Sequence, residues 1–126
     1  MALLFRAMRT DVDGLPAVGP TARTLGIRRD GTDIDIAEDG TVHPHTGGMS
    51  AAIAPEYLVE HRRPEKFGGR GKDPLWMIRS ESLGEGLRYT EDEELAGHVL
   101  IEPVSEMSLA EYEEWLASTR EDWGPA

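Results

Sequence analysis

A chain of 126 residues with 39% hydrophobic residues is long enough to close one core and too polar to live in a bilayer. It has no cysteine, which excludes disulfides and thiolate metal sites and fits a reducing cytoplasm. Its 13 Lys and Arg face 24 Asp and Glu, a formal net charge of −11, which argues against a sequence-independent DNA binder.

The chain opens on Ala2-Leu3-Leu4-Phe5, cut off at once by Arg6, so it is not a signal peptide, and no apolar run reaches the length of a transmembrane helix. Residues Met1 to Met8 read as a core strand, with Leu4 and Arg6 on one side and Leu3 and Phe5 on the other. Asp11 to Pro20 holds Gly14, Pro16, Gly19 and Pro20 and reads as loop. Thr21 to Leu25 reads as one or two helical turns stopped by Gly26.

After a turn at Asp30-Gly31, the alternation Asp33-Ile34-Asp35-Ile36 predicts a half-buried strand over Thr32 to Ala37. Asp39-Gly40 has hairpin-turn chemistry, with Thr41 to His45 returning alongside. Gly47 to Ile53 follows as a strand, Pro55 to Leu58 as a turn of helix, and residues 61–73 as a long, mobile, basic loop. Leu75 to Arg79 is a strand with Trp76 and Ile78 on one face, Leu87 to Thr90 a short strand, and Glu91 to Ala96 an acidic turn or short helix. His98 to Pro103 is a core strand with Val99 and Ile101 on one side and His98, Leu100 and Glu102 on the other. Ser108 and Glu111 have capping-box spacing, and Leu109, Tyr112, Leu116 and Thr119 follow at helical period, with Trp115 beside them. The order predicts a compact α+β fold with a twisted, mostly antiparallel sheet.

Three places carry candidate chemistry. Arg6 is a rigid, permanently charged fork suited to phosphate oxygens, and equally to a carboxylate of this acidic chain. Thr46-Gly47-Gly48-Met49-Ser50 lacks the Lys of a Walker loop. Taken alone it reads as a turn into a strand, and as a site it offers close ligand approach at the glycines and a hydroxyl at Ser50. His98 and Glu102 share a strand face roughly 13 Å apart, too far to bond each other yet able to touch two parts of one ligand. His43, His45 and His61 lack the spacing of a metal site, so no metal is expected.

Leu4-Phe5-Arg6-Ala7, Thr46 to Ser50 and Gly97-His98-Val99-Leu100-Ile101, in this order, resemble the small bacterial type VI secretion toxins with an ADP-ribosyltransferase-like fold and their bacterial and fungal relatives. Asp73-Pro74-Leu75-Trp76 and the stretch from Leu109 to Trp123 are similar to the same family, so the resemblance spans nearly the whole chain.

The resemblance implies one ADP-ribosyltransferase-like domain over residues 1–126, a split sheet and a cleft for NAD as substrate. It implies Arg6, Ser50 and His98 as catalytic residues. Arg6 would hold the phosphates, with Arg62 and Arg63 of the basic loop beside it, and Thr46, Gly47, Gly48 and Ser50 would line the nicotinamide-ribose pocket. Where related transferases end in a catalytic glutamate, this chain offers His98, with Glu102 nearby. The implied function is a toxin that transfers ADP-ribose to an acceptor, or hydrolyses NAD, in the cytoplasm of a target cell. A cognate immunity or antitoxin protein would be its partner. The alternative is a catalytically inactive nucleotide-binding or interaction module on the same fold; a nucleic-acid-directed enzyme is disfavoured by the charge.

Overall fold

The computed structural model describes residues 2–126; Met1, the first residue of the expected N-terminal strand, lies outside them. Eight strands and one α-helix follow in the order β1 (Leu3–Ala7), β2 (Thr41–Val42), β3 (Met49–Ala52), β4 (Leu75–Arg79), β5 (Leu87–Glu91), β6 (His98–Pro103), β7 (Met107–Ser108), α1 (Leu109–Ser118) and β8 (Gly124–Pro125). Six strands form one antiparallel sheet in the order β5-β6-β3-β1-β4-β8, and β2 pairs with β7 in a small second sheet. This is the expected α+β architecture.

The sheet is unevenly sewn. β1 and β4 share five register pairs, from Leu3↔Arg79 to Ala7↔Leu75. β3 and β6 share four. Between these halves, β1 and β3 meet at one pair, Phe5↔Ala52. The sheet therefore opens beyond Phe5, where Arg6 lies.

Alternation places the core as the pattern predicts. Leu4, Met49, Trp76, Ile78, Val99 and Ile101 are buried in one cluster with Tyr112 and Leu116 of α1. The helix begins at Ser108, whose Oγ accepts from the Glu111 backbone N–H at 3.1 Å. Tyr112 is fully buried, and its hydroxyl accepts from Met49 N–H at 3.1 Å and donates to the Ile101 carbonyl at 2.5 Å. The phenol thus bridges β3 and β6 at their Met49↔Ile101 pair, and burial raises its pKa well above the ordinary tyrosine value. Tyr112→Phe leaves two buried backbone groups unpaired. It is expected to lose about 2–4 kcal/mol in urea unfolding, and a loss below about 1 kcal/mol would show that the bridge is dispensable.

Several local expectations differ. Thr21 to Leu25 is a turn and bridge rather than helix. Its carbonyls converge on the Arg6 guanidinium, and a carbonyl turned to a side chain cannot accept the i+4 amide of a helix. Thr32 to Ala37 forms no strand. Ile34 makes an isolated bridge with Gly47, and the segment's backbone bonds to the returning chain are scattered (Ala37 N–H to Thr41 O at 3.0 Å, Asp35 N–H to Thr46 O at 3.3 Å, Gly48 N–H to Asp33 O at 2.8 Å), so no continuous ladder forms. The turn at Asp39-Gly40 forms, with Gly40 N–H donating to Ala37 O, and the chain returns beside it, with Ala37 N–H donating to Thr41 O, while the ladder pairing of β2 is with β7.

The basic loop is fastened rather than structureless. Arg70 N–H bonds Glu60 O at 2.8 Å, Gly71 N–H bonds Arg63 O at 2.7 Å, and Glu65–Phe67 forms a 3-10 turn. Its glycines allow this closeness: a Cβ on Gly69 would stand 2.1 Å from Arg63 O.

Candidate active site

A cavity of about 300 Å³ opens where β1 and β3 part. Arg6, Ser50 and His98 all line it, brought together from β1, β3 and β6. Arg28, His61 and Arg62 join them, and Tyr57, Leu58, Val59, Leu95 and Ala96 form an apolar wall. No Asp or Glu is among its lining residues, in a chain with 24 of them.

Arg6 is 5% exposed, and its hydrogen bonds run to Ser50 and to the carbonyls of Thr21, Ala22, Thr24 and Gly26. It is paired with no carboxylate, contrary to the ordinary fate of a strand-edge arginine. Burial, and then the neighbouring Arg62, lower its pKa to about 10, so it stays charged at neutral pH. Arg28 is paired with Asp33 at 2.7 Å. Arg62 donates to Ala7 O and Ala22 O and lies 3.6 Å from Asp73, a carboxylate already held by Arg23 at 2.7 Å. Four guanidiniums thus share two carboxylates, and the excess positive charge sits around the cavity. Desolvation also lowers the Arg62 pKa, opposed by Asp73.

Ser50 Oγ accepts from Arg6 Nη1 at 3.2 Å, which leaves its own hydrogen available to a ligand. His98 Nδ1 stands 2.9 Å from Asp92 Oδ2, so Nε2 is the ring nitrogen left for the cavity. Asp92 was not legible as a partner: it is six residues away, across a turn whose path depends on the pairing of β5 with β6.

The other expected site residues lie elsewhere. Thr46 Oγ1 donates to His43 O. Gly47 and Gly48 admit backbone rather than ligand: a Cβ would stand 2.2 Å from Asp33 O at Gly47 and 2.5 Å from Ile101 O at Gly48. Arg63 turns to Glu56 O and Leu58 O, bracing the apolar wall away from the cavity lining. Glu102 and His98 do not meet one ligand in this arrangement. Glu102 is 1% exposed and lies in a second, acidic groove with Glu91, Glu93 and Glu94. It accepts there from Arg88 at 2.9 Å and from Thr90 at 3.3 Å. The remaining histidines go to separate places: His43 near Glu106, His45 beside Arg88, and His61 in the cavity.

An antiparallel sheet that parts at one strand junction, with an arginine, a serine and a histidine lining the opening, is consistent with the ADP-ribosyltransferase-like class implied by the resemblance. A family model described as Tse2 ADP-ribosyltransferase toxin matches residues 2–123. The chain belongs to this toxin family. No curated protein and no solved structure matches it. No helix among the described residues is long and apolar enough to cross a membrane.

Proposed function

We propose that the chain binds NAD in the cavity between β1 and β3 and cleaves its nicotinamide–ribose bond, passing ADP-ribose to an acceptor or to water. The observation that carries this reading is the composition of that cavity: three arginines, a serine and two histidines with no carboxylate. A diphosphate matches the excess charge left by Arg6, Arg23, Arg28 and Arg62 over Asp33 and Asp73. Arg62 and Arg28, which line the cavity, would contact the phosphates directly. Arg6, with its donors occupied, contributes charge and holds Ser50.

In the reaction the C–N bond breaks and its electron pair leaves with neutral nicotinamide. The ribose passes through an oxocarbenium-like state, which hydrogen bonds to its hydroxyls stabilise. Ser50 orients the ribose. The acceptor's oxygen or nitrogen bonds the anomeric carbon, and its proton passes to His98 Nε2. Positioning and preorganised charge supply most of the rate. Nicotinamide release by the purified protein tests this. Ser50→Ala and His98→Ala are expected to lower it roughly a hundredfold while leaving the fold intact. Wild-type rates in both variants would refute the assignments.

The location of Glu102 favours one second reading, a binding module without turnover, because the candidate carboxylate is engaged by Arg88 outside the cavity. NAD binding by calorimetry without nicotinamide release would identify it. As a toxin of a target cell's cytoplasm, the chain would need an immunity or antitoxin protein in its producer. Tyr57, Val59 and Leu95, 44%, 53% and 55% exposed around the cavity, provide an apolar collar for such a protein.

A further inference from the structure

The turn between β5 and β6 holds a device that the site's three principal residues do not account for. Asp92 divides its two carboxylate oxygens. Oδ1 accepts from the Glu94 backbone N–H at 2.9 Å, closing an Asx turn. Oδ2 faces His98 Nδ1 at 2.9 Å. The Asp92 backbone N–H donates to His98 O at 2.9 Å, so the two residues are also joined across the strand pair. Leu95 and Ala96 of the same turn form part of the cavity wall. Asp92 itself lines the acidic groove, whereas His98 lines the basic cavity, and their contact links the two.

Backbone and ring together settle which proton sits where. Asp92 Oδ1 is occupied by an N–H donor on its own turn, which fixes the rotation of the carboxylate. The carboxylate is an acceptor only: its pKa is lowered, first by the Glu94 amide and then by His98. An ionised Oδ2 facing Nδ1 therefore requires a proton on Nδ1, and the neutral ring then carries a lone pair on Nε2.

We propose that Asp92 is the positioning residue of the site: it holds His98 as the Nδ1–H tautomer, with Nε2 presented to the cavity as proton acceptor. This rests on the reading of His98 given above for its catalytic consequence, but not for its structural one. When the acceptor bonds the anomeric carbon, its proton moves to Nε2, and the imidazolium formed is stabilised by the adjacent Asp92 carboxylate. The nicotinamide leaves with the electron pair of the broken C–N bond, so charge and atoms balance.

Asp92→Asn is the decisive substitution because the two oxygens have different duties. Its carbonyl keeps the turn by accepting from Glu94 N–H, so its amide must face Nδ1 as a donor. The ring is then forced to the Nε2–H tautomer, which cannot accept a proton in the cavity. Asp92→Glu retains an ionised acceptor and serves as the conservative control.

Nitrogen-15 NMR of histidine-labelled protein at about pH 8, above the ordinary histidine range, reads the tautomer directly. The wild type is expected to show Nδ1–H at His98, Asp92→Asn to show Nε2–H, and Asp92→Glu to restore Nδ1–H at least in part. Nicotinamide release, measured in parallel, is expected to fall roughly a hundredfold or more in Asp92→Asn, as when the orienting carboxylate of a catalytic triad is neutralised, and to recover partly in Asp92→Glu. An unchanged His98 tautomer in Asp92→Asn overturns the proposal whatever the activity. A changed tautomer with undiminished turnover overturns its catalytic half. A wild type that shows the expected tautomers but releases no nicotinamide supports the positioning and refutes the transferase reading instead.

Discussion

Gly48→Ala is expected to unfold the chain or cost it more than about 3 kcal/mol, although it adds a single methyl group. The methyl would stand 2.5 Å from Ile101 O, 2.8 Å from Ile101 C and 3.2 Å from Glu102 Cα. All three are backbone atoms of β6, so no rotamer change relieves the contact. Relief requires β3 and β6 to separate at the pair Met49↔Ile101, where Tyr112 bridges them. Gly47→Ala meets Asp33 O at 2.2 Å and carries a φ of +130° as well, so it is expected to behave alike. Gly124→Ala is the control: nothing lies within 4 Å of its Cβ, and its effect is expected within about 0.5 kcal/mol. Thermal melts of the three variants check this. A Gly48→Ala protein as stable as Gly124→Ala would mean that the strands tolerate separation. The double glycine is thus an architectural element: it lets β3 start against β6 and so delivers Ser50 to the cavity.

Arg6→Ala is expected to cost about 3–5 kcal/mol, a large share of the stability of a domain this size. The removed guanidinium leaves the carbonyls of Thr24, Ser50 and Gly26 without their donor in a buried setting. Arg6→Lys is expected to recover little, since one ammonium cannot reach carbonyls spread from Thr21 to Gly26 while also reaching Ser50. Urea unfolding measures both. A loss under about 1 kcal/mol for Arg6→Ala would show that the loop from Thr21 to Gly26 holds its shape by other means. The consequence for function is direct: inactivity of an Arg6 variant does not by itself demonstrate phosphate contact. Arg62, with 20% of its side chain exposed, is the better probe of phosphate binding.

Much of the frame was readable from local pattern. β1, β4, β5 and β6 and the helix start at Ser108 follow from alternation, helical period and a cap, each a relation among residues a few positions apart. The convergence of Arg6, Ser50 and His98 was readable only through the resemblance, because no local rule links residues so distant in the chain. Thr32 to Ala37 misled because its alternation was genuine while its backbone meets the returning chain only at scattered points, an isolated bridge at Ile34 and single bonds at Asp35 and Ala37.

What the sequence by itself determined is the five long strands β1, β3, β4, β5 and β6, the helix and the family to which the chain belongs. What only the tertiary structure decided is which side of each feature matters. It turned the two glycines toward strand backbone, Arg63 toward Leu58 O, Glu102 toward Arg88 and Asp92 toward His98. The physical reason is that alternation assigns a residue to a face. Its partner there depends on strand register and turn path, which are set by packing across the whole sheet.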